Sequence, residues 1–214
     1  MDFGLKGKRA VVTGGNAGIG RAIGRLLAAE GAHVALVGRN QETLESARDE
    51  IVSDGGAKPA IIVQDLMPAD APANIASAAH DTIGQVDILI NNAGGSRPFG
   101  ANAPEDAWEE AMTLNFTRQR QIAMQLMPDM VKGKWGRDGI TVNCIPPGRI
   151  LSDQILRNYS PEVREEQSRT EIPIRRYGEP EELAALAVFL CSQQAGYITG
   201  TVIPVDGGLR RYQF

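Results

Sequence analysis

The sequence predicts an α/β fold: a doubly wound parallel sheet of six strands in one domain covering residues 1–214. Three observations predict it. Short apolar runs alternate with amphipathic segments, the runs are near-continuous in hydrophobicity, and a glycine-rich turn follows the first of them. Arg9-Ala10-Val11-Val12 reads as the first strand, and the segment after the turn places Ile19, Ile23, Leu26 and Leu27 on one helical face. Further strands are expected at 34–37, 60–63, 86–90, 140–145 and 202–205, apolar runs suited to a sheet covered on both faces. Helices are expected at 41–53, 70–83, 105–131 and 179–191. The last opens with Pro180 at its first position and Glu181 and Glu182 at the positive end of its dipole, ahead of a stripe of Leu183, Leu186, Ala187 and Leu190. Repeated β-α-β units imply parallel strands and right-handed crossovers, and no repeat or linker marks a second domain.

The turn itself, Thr13-Gly14-Gly15-Asn16-Ala17-Gly18-Ile19-Gly20, joins a strand to a helix N-terminus. Main-chain N–H groups and the helix dipole there favour an anion, and the absent side chains let a pyrophosphate approach the backbone, so the turn reads as a dinucleotide site. A site selective for NAD places a carboxylate about 20 residues further on, at the end of the second strand. Here that position reads Val37-Gly38-Arg39-Asn40. Arg39 suits a 2′-phosphate, with Asn16 as a neutral hydrogen-bonding partner, which points to NADP; the competing reading is a solvated loop arginine.

Composition narrows the class. The net charge of -4 offers no general attraction to nucleic acid or to an anionic membrane, so neither is expected as a partner. Cys144 and Cys191 are too few for a disulfide framework, and His33 and His80 are isolated, so no metal site is expected. No apolar stretch nears the roughly 18 residues of a membrane span, and the expected location is the cytoplasm.

Six motifs in order resemble the short-chain dehydrogenase/reductase family over nearly the whole chain, with a lean toward its 3-oxoacyl-carrier-protein reductase-like branch. Thr13, Gly14, Gly18 and Gly20 match its T-G-x-x-x-G-x-G pattern. Asp65, followed by Leu66, stands where the family touches the adenine. Asn91-Asn92-Ala93-Gly94 matches its N-N-A-G motif, and Asn115 matches the helix asparagine that holds a proton-relay water. Val142-Asn143-Cys144-Ile145-Pro146-Pro147-Gly148 resembles the sixth strand and its P-G turn, after which Ile150 and Ser152 would meet the nicotinamide carboxamide and the phosphates. Tyr197-Ile198-Thr199-Gly200 and Val205-Asp206-Gly207-Gly208 resemble the last strand and its oligomer-facing end. The resemblance implies a Rossmann-like fold, NADP as cofactor, a small carbonyl or alcohol substrate, a homo-oligomer (dimer or tetramer) and a mobile substrate lid over 151–178. Its mixed arginines and glutamates read as a solvated helical surface. Asn115 falls in a stripe with Met112, Phe116 and Ala123, an expected buried position where a polar group needs partners.

One family feature is missing. No Tyr-x-x-x-Lys occurs, and no lysine follows Lys134. The fourth helix runs out through Met127 to Arg137, and Asp138-Gly139-Ile140-Thr141 already belongs to the sixth-strand signature. A β-α unit of about 30 residues or more, with the serine, tyrosine and lysine, is therefore absent at the Arg137/Asp138 junction. Its loss would leave the apolar face of the 105–131 helix exposed. Three readings stand. The first is an NADP-dependent oxidoreductase whose full chain carries the unit that this sequence lacks. The second is a short form that binds NADP(H) as a non-catalytic or regulatory module. In the third, Tyr159, Tyr177, Ser96 or Ser152 is recruited as acid or oxyanion donor.

Overall fold

The computed structural model describes residues 2–95, 100, 102–133 and 139–210. Strand β1 (Arg9–Thr13) lies between β2 (His33–Gly38) and β4 (Ile88–Ile90), and β3 (Ala60–Val63) flanks β2. All the pairings are parallel, in the order β3-β2-β1-β4. Side chains along β1 and β2 alternate between two cores. Val12, Val34 and Leu36 join one core with α1 (Gly18–Ala29), α2 (Gln41–Ser53) and α8 (Pro180–Leu190). Val11, Ala35 and Val37 join the other with α3 (Ala71–Ile83) and α5 (Arg118–Gly133). Helices thus cover both faces of the sheet, as the unbroken apolar strands require.

Local signals explain the boundaries. Asn40 caps α2 by accepting the Thr43 N–H at 3.0 Å, and α8 opens with a capping box in which the Glu179 N–H donates to Glu182 at 2.8 Å. Gly24 sits where a Cβ would lie 2.7 Å from Leu36 Cδ2, so its absence lets α1 lie close on β2. The expected 105–131 helix is instead α4 (Glu105–Met112), a π-helical turn (Thr113–Thr117) and α5, in unbroken succession.

Two expected strands are corrected. Among the described residues the sheet has four strands, not six. The 140–147 and 202–205 segments meet through backbone hydrogen bonds and the isolated parallel bridges Cys144–Val202 and Pro147–Val205. Neither pairs with β4, so one edge of β4 carries no strand and its three residues are half-buried. A run with strand propensity becomes a strand only where a neighbour supplies its hydrogen bonds, and here each of the two has only the other. Val142 and Val202 are correspondingly exposed, at 65% and 60%. The Arg137/Asp138 junction lies outside the described residues. No helix among those residues is long and apolar enough to cross a membrane.

Candidate functional site

The carboxyl ends of the four strands converge on one crevice, where the strand order reverses between β1 and β4. Ligands of open α/β sheets bind at such a switch point. The turn after β1 is built for close approach. Gly14 has φ +66° and Gly18 has φ +51°, a region that L side chains rarely adopt. At Gly20 a Cβ would lie 2.2 Å from the Gly14 carbonyl oxygen and 2.5 Å from Asn92 Nδ2. The N-cap of α1 is Ala17, whose side chain has no acceptor for the first-turn N–H groups. Those donors and the positive end of the dipole fit a phosphate anion. Ile19 is packed against the core, so only its main chain faces the turn.

Buried polar bonds hold the crevice. Thr13 is fully buried, and its hydroxyl accepts the N–H groups of Asn92 at 2.9 Å and Ala93 at 3.0 Å while donating to the Ile90 carbonyl at 3.3 Å. The Asn92 amide donates back to the Thr13 carbonyl at 3.0 Å. These two residues lock the end of β1 to the end of β4, their polar atoms used within the protein. Ala93 and Gly94 then pass the crevice with little side chain, and Gly94 has no room for more: a Cβ would meet Asn115 Oδ1 at 2.7 Å.

At the end of β2, Asn16 lies beside Gly38 and donates to Thr43 Oγ1 at 3.2 Å. Arg39 next to it is exposed and has no ion pair among the described residues. A free guanidinium at this position fits a phosphate on the ribose. Past β3, Asp65 is exposed and accepts the Met67 N–H at 3.0 Å, an Asx turn that leaves its second oxygen outward. Leu66 is 5% exposed, its side chain packed in the core.

The far wall comes from the C-terminal half. Pro147 bridges Val205, and the Gly148 N–H donates to the Val205 carbonyl at 2.9 Å, so close that a Cβ on Gly148 would lie 2.5 Å from Asp206 Cα. Ser152 faces the glycine turn: a Cβ on Gly18 would lie 3.4 Å from its own Cβ. Its hydroxyl caps α6 (Asp153–Asn158) by accepting the Ile155 N–H. The Ile150 side chain is buried in the core, and its backbone bridges Gly178.

Asn115 also differs. It is exposed rather than buried, within the π-turn that joins α4 to α5. Its Oδ1 accepts the Gly95 N–H at 2.9 Å, and its amide donates to the carbonyls of Gly95 (3.2 Å) and Ala111 (2.9 Å). The amide thereby clamps the loop that follows β4, and π-bulges recur at such functional positions. Its stripe companions Met112 and Phe116 are 54% and 56% exposed, the uncovered apolar face that absence of a neighbouring helix predicts.

Of the tyrosines weighed for recruitment, Tyr177 is 5% exposed and hydrogen-bonds Gln167. Burial raises its pKa, opposite to what a general base at neutral pH needs. Tyr159 lies under Arg149, 5.7 Å from guanidinium to ring centroid. Ser96 lies outside the described residues. Two residues that hold the backbone around the crevice escaped the sequence reading. Gln119 is buried and donates to the Ala93 carbonyl at 2.5 Å, and Arg118 donates to the carbonyls of Leu66 and Met67. Gln119 stands four residues beyond Asn115, hence on the same helical face, the one available signal.

Comparison with known proteins agrees with this geometry. Residues 8–138 match the family profile described as short chain dehydrogenase, and residues 133–210 that of Enoyl-(Acyl carrier protein) reductase. The 3-oxoacyl-[acyl-carrier-protein] reductase FabG of Aquifex aeolicus is 30% identical, covering 98% of this chain and 100% of the relative. That alignment runs 250 positions against a chain of 214 residues, so about 40 positions of the relative have no counterpart here, a length on the scale of one β-α unit. L-sorbose reductase from Gluconobacter frateurii, solved with NADPH and L-sorbose, superposes with a TM-score of 0.88 at 29% identity, over 99% of this chain and 100% of that one. A 7α-hydroxysteroid dehydrogenase solved with NADH superposes with a TM-score of 0.89 at 30% identity, over 95% and 94%. With its profile matched across more than half of its length, the chain belongs to the short-chain dehydrogenase/reductase family.

Proposed function

We propose that this chain binds NADP(H) in the crevice above β1 and β4 and acts as a short-chain oxidoreductase on a small carbonyl or alcohol. The observation that carries the reading is the uncapped, glycine-lined turn at Gly14–Gly20 beside the unpaired Arg39. In this assignment the first-turn N–H groups of α1 hold the pyrophosphate, and Arg39 with Asn16 holds the 2′-phosphate. Asp65 meets the adenine ring, while Ala93 and Gly94 border the adenosine half. Gly148 and the main chain at Ile150, with Ser152, bound the nicotinamide half. Asn115 positions the loop after β4. The bound nicotinamide supplies or accepts the hydride. This chain's residues orient it and exclude water from one side.

Proton transfer is the weak step. Without a Tyr-x-x-x-Lys pair, loss of a general acid costs about 10²–10⁴ in rate. That absence also favours a second reading, an NADP(H)-binding or regulatory module without turnover. Titration of NADP⁺ and NAD⁺, beside an assay of NADPH absorbance with carbonyl substrates, separates the two. NADP⁺ is expected to bind more tightly than NAD⁺. Arg39→Ala should weaken NADP⁺ by about 10- to 100-fold and leave NAD⁺ unchanged, the worth of a charged hydrogen-bonded pair. Binding with slow turnover supports the oxidoreductase and binding with none the module. No affinity for either nucleotide refutes both.

A further inference from the structure

We propose that the 151–179 region holds a phosphate-binding subsite, which makes the substrate a phosphorylated carbonyl or alcohol; this rests on the oxidoreductase reading above. An open depression of about 400 Å³ lies between α7 (Pro161–Thr170) and the turn that leads into α8. The volume is within the range of small-molecule sites. Its polar lining includes Arg164, Ser168, Arg175 and Arg176 together with Glu165 and Glu179, and its floor is Leu151, Pro161 and Tyr177.

Charge pairing within the lining leaves two cations unclaimed. Arg176 is held by Glu182 through both terminal nitrogens, each at 2.7 Å. Glu179 is committed to the capping box of α8. Arg164 and Arg175 have no ion pair among the described residues, and the Arg164 Nε is buried without any hydrogen-bond partner. Arg175 adds a second, independent sign. It is the one non-glycine residue at positive φ among the described residues, at 59°. Backbone strain of this kind collects at ligand clamps. Two guanidiniums from separate segments and the Ser168 hydroxyl suit a tetrahedral phosphate better than a planar carboxylate, which a single arginine fork already satisfies. Glu165 is the opposing charge on the rim, and it limits the affinity.

The test titrates inorganic phosphate, with acetate in parallel, into the wild type, Arg164→Gln, Arg175→Gly and, as control, Arg39→Ala. Phosphate should bind saturably to the wild type and to Arg39→Ala, and about tenfold or more weakly to the two lid variants. Arg175→Gly should keep or raise the melting temperature, since glycine adopts this φ freely, so its loss of binding is not a loss of fold. NADP⁺ affinity, read on the same samples, should be unchanged in both lid variants. A wild type that takes phosphate but not NADP⁺ would sink the cofactor reading alone. The subsite is overturned if phosphate binding is absent, is insensitive to both lid variants, disappears in Arg39→Ala, or is matched by acetate.

Discussion

The two sides of β1 make an instructive contrast. Toward β2 and β3 the sheet is closed: Val11, Val12, Leu36 and Val37 are fully buried, and α1, α2 and α8 pack over one face without a gap in the core. Toward β4 it is open. Ile88, Leu89 and Ile90 are only half-buried, and Trp108, Met112, Phe116 and Met124 lie exposed along α4 and α5. The closed side carries the glycine turn, Arg39 and Asp65, which the proposed function assigns to a dinucleotide, with Ala93 and Gly94 after β4 beside them. The two sides rest on different packing, but they are tied together at the crevice, where Arg118 and Gln119 of α5 bond the carbonyls of Leu66, Met67 and Ala93.

The largest expected effect probes the closed side. Gly20→Ala places a methyl 2.2 Å from the main-chain oxygen of Gly14, and backbone cannot give way as a flexible side chain does. Denaturant unfolding should show a loss of about 4 kcal/mol, together with lost NADP⁺ binding. A variant as stable as wild type would mean that the turn is looser than its geometry. On the open side, α5 and the π-helical turn before it supply an internal comparison. Leu126 is fully buried, so Leu126→Ala should cost about 3 kcal/mol. Phe116 is 56% exposed, so Phe116→Ala should stay within about 0.5 kcal/mol. Equal costs at the two positions would show that the apolar face is covered in solution, in line with an oligomer.

These contrasts also mark what the sequence could reveal. The 41–53 helix and the 60–63 strand were legible to the residue because caps and apolar runs are local signals. The glycine turn, Arg39 and Asp65 could be singled out for the same reason, since each sits just past a strand end, and the proposed function takes them as the crevice's ligand contacts. The 140–145 and 202–205 strands were not, since a strand needs a partner and the partner's absence lies elsewhere in the chain. Gln119 and Arg118 were invisible because they act on backbone 26 and 51 residues away. The contacts of Thr13, Asn92 and Leu66 were not legible: the first two bond each other as a clasp between strand ends, and the Leu66 side chain packs in the core.

The smallest expected effect lies at the entry to α8, where the closed side meets the 151–178 segment. Two Arg176 nitrogens and the Glu179 N–H bond the Glu182 carboxylate, and Arg176 above all lowers its pKa from 4.5 to about 2. A carboxyl whose pKa is lower in the folded state stabilises the fold fully above its ordinary pKa, and that contribution is lost as the pH falls through about 2. Arg176→Gln should therefore move the acid-unfolding transition, followed by circular dichroism, to higher pH and lower stability slightly throughout the range above the ordinary carboxyl pKa. Both side chains are about half exposed, at 51% and 42%, so the shift should be modest and should shrink in high salt. Superimposable acid transitions for the two proteins would show that the pair organises the turn into α8 without stabilising the closed half. A large shift would instead mean that the 151–178 segment and the closed half unfold as one unit.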